Sequence, residues 1–143
     1  MLWLAKAISM KLAAAMLLCF ALLAALGGCG SVSRVKVIPV ESELYSQKDL
    51  SAAIRKVERD FRLGWSGCTL TEIAYAGDER TAEEAESHAD MWDYDELIVL
   101  ISSFDVDSSG GDGSLNPNST YDNWSWFLIR RSGGEWMHAD HGY

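Results

Sequence analysis

A chain of 143 residues with 21 acidic and only 12 basic side chains, formally −9 at neutral pH, is poorly suited to nucleic acid or anionic lipid headgroups, which are held by clustered Lys and Arg. Its length suits one domain with one hydrophobic core. Three cysteines, Cys19, Cys29 and Cys68, leave little scope for a disulfide framework.

The chain opens with Lys6 and Lys11 and no acidic residue, followed by the uncharged run Leu12 to Leu26. A positive segment before about 15 apolar residues is the pattern of an export signal, whereas a spanning helix needs roughly 20. The run ends in Leu26-Gly27-Gly28-Cys29. This resembles the lipobox of bacterial lipoproteins, with an aliphatic residue three before the cysteine and small residues between. The thiol of Cys29 is the nucleophile there that can carry a diacylglyceryl thioether, and the two glycines open the preceding bond to a peptidase. The resemblance implies that residues 1–28 are a signal peptide and that Cys29 is lipidated on the outer face of a cytoplasmic membrane. Met10-Lys11 followed by Leu12 also reads as a shorter, complete signal, so either Met1 or Met10 can be the start.

Cleavage before Cys29 would remove two basic residues and no acidic one, leaving 115 residues at −11. Cys68 would then be the lone free thiol, expected as a small buried core residue. Residues 29–45, with Gly30, Ser31, Ser33 and Pro39, read as a tether carrying an extended piece at Val35–Ile38, and residues 46–143 as one globular domain.

Ser46 and Asp49 form an N-terminal cap, and Leu50, Ile54, Val57 and Phe61 recur on one helix face, with Gly64 as the stop. Lys56, Arg59 and Asp60 fall on the opposite, solvated face. Cys68 to Ala76 reads as a strand whose alternation slips near Glu72. Thr81 with Glu84 predicts a second capped helix through Ala82, Ala85, Ala89 and Trp92, with His88 as a packed or surface residue. Leu97 to Ile101 is a strand buried on both faces; Asn123 to Arg131 alternates as another; Ser132-Gly133-Gly134 turns into a last strand, Glu135 to Asp140. The expected class is α+β: an antiparallel sheet of about four strands with one long helix on a face and a short second helix. In element order this is similar to cystatin-like and nuclear-transport-factor-like domains.

Between the buried strand and Asn123 lies an aperiodic stretch, Asp105 to Asp122, longer than most loops of compact domains. Asp105, Asp107 and Ser109 followed by Gly110 match positions 1, 3, 5 and 6 of a calcium loop, whose oxygens converge on a hard cation. Asp112 and Asn116 would be further ligands, although Asn116 lacks the bidentate carboxylate of position 12. The alternative is a turn-rich loop whose Asp and Asn side chains cap their own backbone. His138, Asp140 and His141 raise a zinc site, but on a regular strand His141 points away from the other two and no third ligand is evident. Trp124 and Trp126 are candidate ligand-binding rings, for a sugar or a partner protein, or else core residues.

The run from Phe104 to Tyr121 (Phe-Asp-Val-Asp-Ser-Ser-Gly-Gly-Asp-Gly-Ser-Leu-Asn-Pro-Asn-Ser-Thr-Tyr), Asn123-Trp124-Ser125-Trp126 and the closing Gly142-Tyr143 resemble a group of small lipoproteins, mostly from Firmicutes, that carry a domain of unknown function. The resemblance spans about residues 45–143 and implies a shared fold and exported location, with no activity attached. The expected function is a membrane-anchored, non-enzymatic binding or interaction domain for an envelope ligand or protein. The alternatives are an envelope enzyme working through carboxylates and a structural partner subunit.

Overall fold

A computed structural model describes residues 29–143; the expected signal peptide, residues 1–28, lies outside the described residues. The elements follow as β1 (Lys36–Ile38), α1 (Gln47–Gly64), β2 (Cys68–Tyr75), α2 (Asp78–Ser87), β3 (Glu96–Val106), β4 (Thr120–Arg130) and β5 (Met137–Gly142). The class is α+β, with two helices on a mixed five-stranded open sheet of order β1-β2-β3-β4-β5. The fifth strand, beyond the four expected, is the short β1, which runs parallel to β2. Two parallel neighbours require a crossover, and α1 supplies it.

Helix α1 forms where the apolar spacing requires. Ser46 caps it, its Oγ accepting from Asp49 N at 3.2 Å, and Leu50, Ala53, Ile54, Val57 and Phe61 are buried against the sheet. Trp65 ends it by donating its N–H to the Phe61 carbonyl at 3.0 Å. Full burial of each large apolar side chain contributes about 1.5–3 kcal/mol, so a charge at Val57, which has no exposure, would undo this face.

Strand β2 carries a register shift between Leu70 and Glu72, where its alternation slips, so that Leu70, Ile73 and Tyr75 all reach the α1 side. Strand β3 is buried on both faces: Ile98 and Leu100 join the α1 core, while Leu97 and Val99 join a second cluster with Ala85, Trp92, Tyr94 and Phe127.

Helix α2 begins at Asp78, three residues before the expected cap. Thr81 is not a cap. It is 2% exposed, and its hydroxyl accepts from Val99 N at 3.4 Å, fastening the helix to β3. Asp78 does the ordering instead, accepting from Ser42 Oγ at 2.5 Å, Glu43 N at 2.8 Å and Tyr75 OH at 2.9 Å. These bonds hold its carboxyl below the usual carboxylate range. The helix ends at Ser87; His88 then stacks on Trp92 at 4.8 Å rather than continuing it.

The stretch expected as a tether is stitched to the domain. Gly30 N donates to Arg62 O at 3.0 Å, Ser31 N to Cys68 O at 2.9 Å and Leu70 N to Ser31 O at 2.8 Å, before β1 pairs with Glu72 to Ala74. Gly30 is required at its position. A Cβ there would stand 2.4 Å from the Phe61 carbonyl oxygen and 2.8 Å from that of Trp65. Among the described residues the chain is therefore docked on the domain from Gly30 onward.

Candidate functional site

The acidic stretch is shorter than its composition suggests. Strand β3 continues through Val106 and β4 starts at Thr120, so Asp105 and Asp122 are strand residues and the loop proper is 107–119. Asp105 accepts from Thr120 Oγ1 across the ladder at 2.7 Å. Asp107 Oδ1 accepts from both the N and the Oγ of Ser109, and Asp112 Oδ1 from Ser114 N at 3.0 Å and Ser114 Oγ at 2.5 Å. These bonds lower both carboxyls below their ordinary range. The two aspartates fold the loop by binding their own turns. Asn116 contributes backbone: its N–H donates to the Tyr121 hydroxyl at 3.1 Å and its carbonyl accepts from Ser119 Oγ. Asp105, Asp107, Ser109, Asp112 and Asn116 thus each have a partner in the chain, and no cluster of three or more His, Cys, Asp or Glu is poised around a metal position among the described residues.

This loop lies beside Cys29. A cleft of about 540 Å³ is lined by Cys29, Ser31, Gly67, Asp105, Asp107 and Ser109. Cys68, under the loop, is 3% exposed, and its thiol is pushed up to about 11 by burial, helped by Asp107 and Asp112. It stays protonated at neutral pH and packs as a core residue.

The two tryptophans separate. Trp126 is fully buried and donates its indole N–H to Ser102 Oγ at 2.8 Å, so it is a core residue and not a ligand-binding ring. Trp124, two residues earlier on the same face, is half-buried at the open end, where it meets Trp65, Tyr121, His141 and Tyr143 at centroid distances of 5.2–5.9 Å. Its Nε1 is buried without a partner.

The histidines also depart from the regular-strand expectation. A register shift between Phe127 and Leu128 pairs Trp126 with His141 and Leu128 with His138, leaving Ala139 as the extra residue of β5. The bulge turns His141 onto the face of His138, and His138 Nε2 lies 3.1 Å from His141 Nδ1. His138 Nδ1 faces Asp60 Oδ2 at 3.6 Å. Burial first, and His141 second, lower the basicity of His138. Asp140 is turned away, accepting from His141 N at 2.8 Å.

Sequence reasoning passed over a second cleft, of about 590 Å³, between α1 and the β4–β5 turn. Lys48, Arg55, Lys56, Arg59 and Arg130 line it against Asp49 and Glu135. At its inner end Arg130 binds both oxygens of Glu96, at 2.7 and 2.9 Å, and Asp49 at 2.8 Å, while its guanidinium lies 4.2 Å over the Trp136 ring. The hydrogen bonds to Glu96 come first among the causes that raise Arg130 and, with Asp49, they fix it as a permanent cation. Helical spacing places Lys56 and Arg59 on a solvated face of α1; the turn at Gly133–Glu135 makes that face one wall of a cleft.

Among the described residues no helix is long and apolar enough to cross a membrane. No family model, curated protein or solved structure matches the chain.

Proposed function

We propose that the chain is a lipid-anchored binding domain, non-enzymatic, carried through Cys29 on the outer face of a bacterial cytoplasmic membrane. The observation that carries this reading is the sequence Leu26-Gly27-Gly28-Cys29 at the end of an uncharged run, followed at once by a docked Gly30. With no spacer, an anchor at Cys29 holds the 107–119 loop and the Trp124 end close to the headgroups. The −11 charge of the exported part then acts as a standoff from an anionic surface, since like charges repel within a Debye length of about 8 Å at physiological salt.

The test is metabolic incorporation of an alkyne-tagged fatty acid in a bacterial host. The wild-type chain becomes labelled and the Cys29→Ser variant does not. An unlabelled wild type, or equal labelling of the variant, would overturn the reading.

A further inference from the structure

The cleft between α1 and the β4–β5 turn is basic in a chain that is strongly acidic. Its helix wall has a regular build. Lys48, Ala52, Arg55 and Arg59 follow at i, i+4, i+7 and i+11, a single stripe along α1. At 1.5 Å per residue the cations stand about 10 Å and then about 6 Å apart along the axis. Ala52 between them keeps the floor low.

Not all the cations of the cleft are available. Lys56 is bound to Asp60 at 2.6 Å, and Arg130 is held by Glu96 and Asp49. Lys48, Arg55 and Arg59 are exposed and have no ion-pair partner among the described residues. Trp136 lines the same cleft. It is 5% exposed, and its buried indole N–H has no acceptor. Glu135 is the opposing charge on the other wall.

We propose that this cleft binds a linear phosphate polyanion, with Lys48, Arg55 and Arg59 contacting successive phosphates along the α1 wall. Three unpaired cations strung over about 16 Å of helix match a chain of repeated charges better than one small anion. The guanidinium fork of each arginine suits a phosphate edge. Phosphate also occurs on anionic lipid headgroups, but the site is concave, and a single chain enters it where a bilayer surface does not. The inference deepens the binding part of the proposed function and is independent of the anchor.

The test uses the full chain in neutral detergent, titrated with short-chain sodium polyphosphate and followed by tryptophan fluorescence and salt dependence. Saturable binding is expected. Arg55→Gln with Arg59→Gln weakens it at least tenfold and reduces the slope of log affinity against log salt by about two. Arg34→Gln with Lys36→Gln, the same charge change at the start of edge strand β1 and in the turn before it, leaves it unchanged, and so does Cys29→Ser. Retained binding by Cys29→Ser separates the cleft from the anchor, since that variant removes only the latter. Equal weakening by both double variants, equal affinity for orthophosphate, or no polyphosphate binding while phosphatidylglycerol-doped micelles bind through Arg55 and Arg59 would each overturn the proposal. The arginines are exposed, so an unchanged melting curve is expected to accompany the loss.

Discussion

Arg130 and Glu96 face each other across β4 and β3 as direct register partners, joined by two parallel hydrogen bonds of 2.7 and 2.9 Å. A third bond runs from Arg130 to Asp49 in the first turn of α1, so one guanidinium fastens the helix start to the sheet. The Arg130 side chain is 11% exposed. Removing one partner leaves charge with little water to replace it. Glu96→Gln is expected to cost about 2 kcal/mol and Arg130→Met about 3 kcal/mol, read from urea unfolding midpoints. Changes below about 0.5 kcal/mol, the range of an ordinary surface substitution, would show that the bridge is not structural.

Trp126 and Ser102 form a buried polar contact in the α1 core, between groups that are 0% and 4% exposed. Ser102→Ala orphans the indole N–H and is expected to cost about 1–3 kcal/mol. Trp126→Phe orphans the hydroxyl and removes volume as well. The double variant should lose less than the two single losses combined, because neither partner is then left unpaired. Strict additivity in a double-mutant cycle would contradict a direct bond.

Stability should fall with acid in two stages. His138 is buried against His141, Lys56, Asp60 and Trp126, and burial places its folded value below the ordinary one of about 6.5. The unfolded chain therefore takes up that proton first, and stability is lost as pH falls below about 6.5 until the folded value is reached. Asp49, Asp78, Asp95, Glu96, Asp107 and Asp112 are all held below the ordinary carboxylate range by hydrogen bonds. Their contribution is present above about 4 and is lost below it. His138→Gln should flatten the first stage and spare the second in melts taken across pH. An unchanged first stage in that variant would assign it elsewhere.

Gly30→Ala forces a methyl group against two helix-end carbonyls at 2.4 and 2.8 Å. The chain must give way there, at a cost of about 2 kcal/mol. Residues 29–35 should become sensitive to limited proteolysis while the sheet stays protected. A variant as resistant as the wild type would mean that the docking of this segment is not tight.

The features readable in the sequence were those set by local period. Leu50, Ile54, Val57 and Phe61 fix α1, and the slip at Glu72 marks a real bulge because side-chain facing reverses with each residue. Features set by distant partners were not readable. The extended piece at Val35–Ile38 was legible, but its pairing with β2, which makes Lys36–Ile38 a fifth strand rather than part of a tether, was not. Thr81 matches a capping signature, yet its hydroxyl is committed to Val99, eighteen positions on. The site residues divide the same way. Trp126 alternates like an exposed or a buried ring alike, and burial by Phe61 and Trp65 decides the matter. His138 and His141 meet through a bulge at Ala139 that no residue type in β5 requires. The stripe of Lys48, Arg55 and Arg59 has helical spacing, but its meaning depends on the turn at Gly133–Glu135 that closes the cleft opposite it.

The most direct measurement on the anchored binding domain is the mass of its N-terminal peptide after extraction from membranes of a producing bacterium. A peptide beginning at Cys29 and carrying a diacylglyceryl group on the thiol is the result expected. A free thiol at Cys29, or a mature chain that still contains residues 1–28, would contradict it.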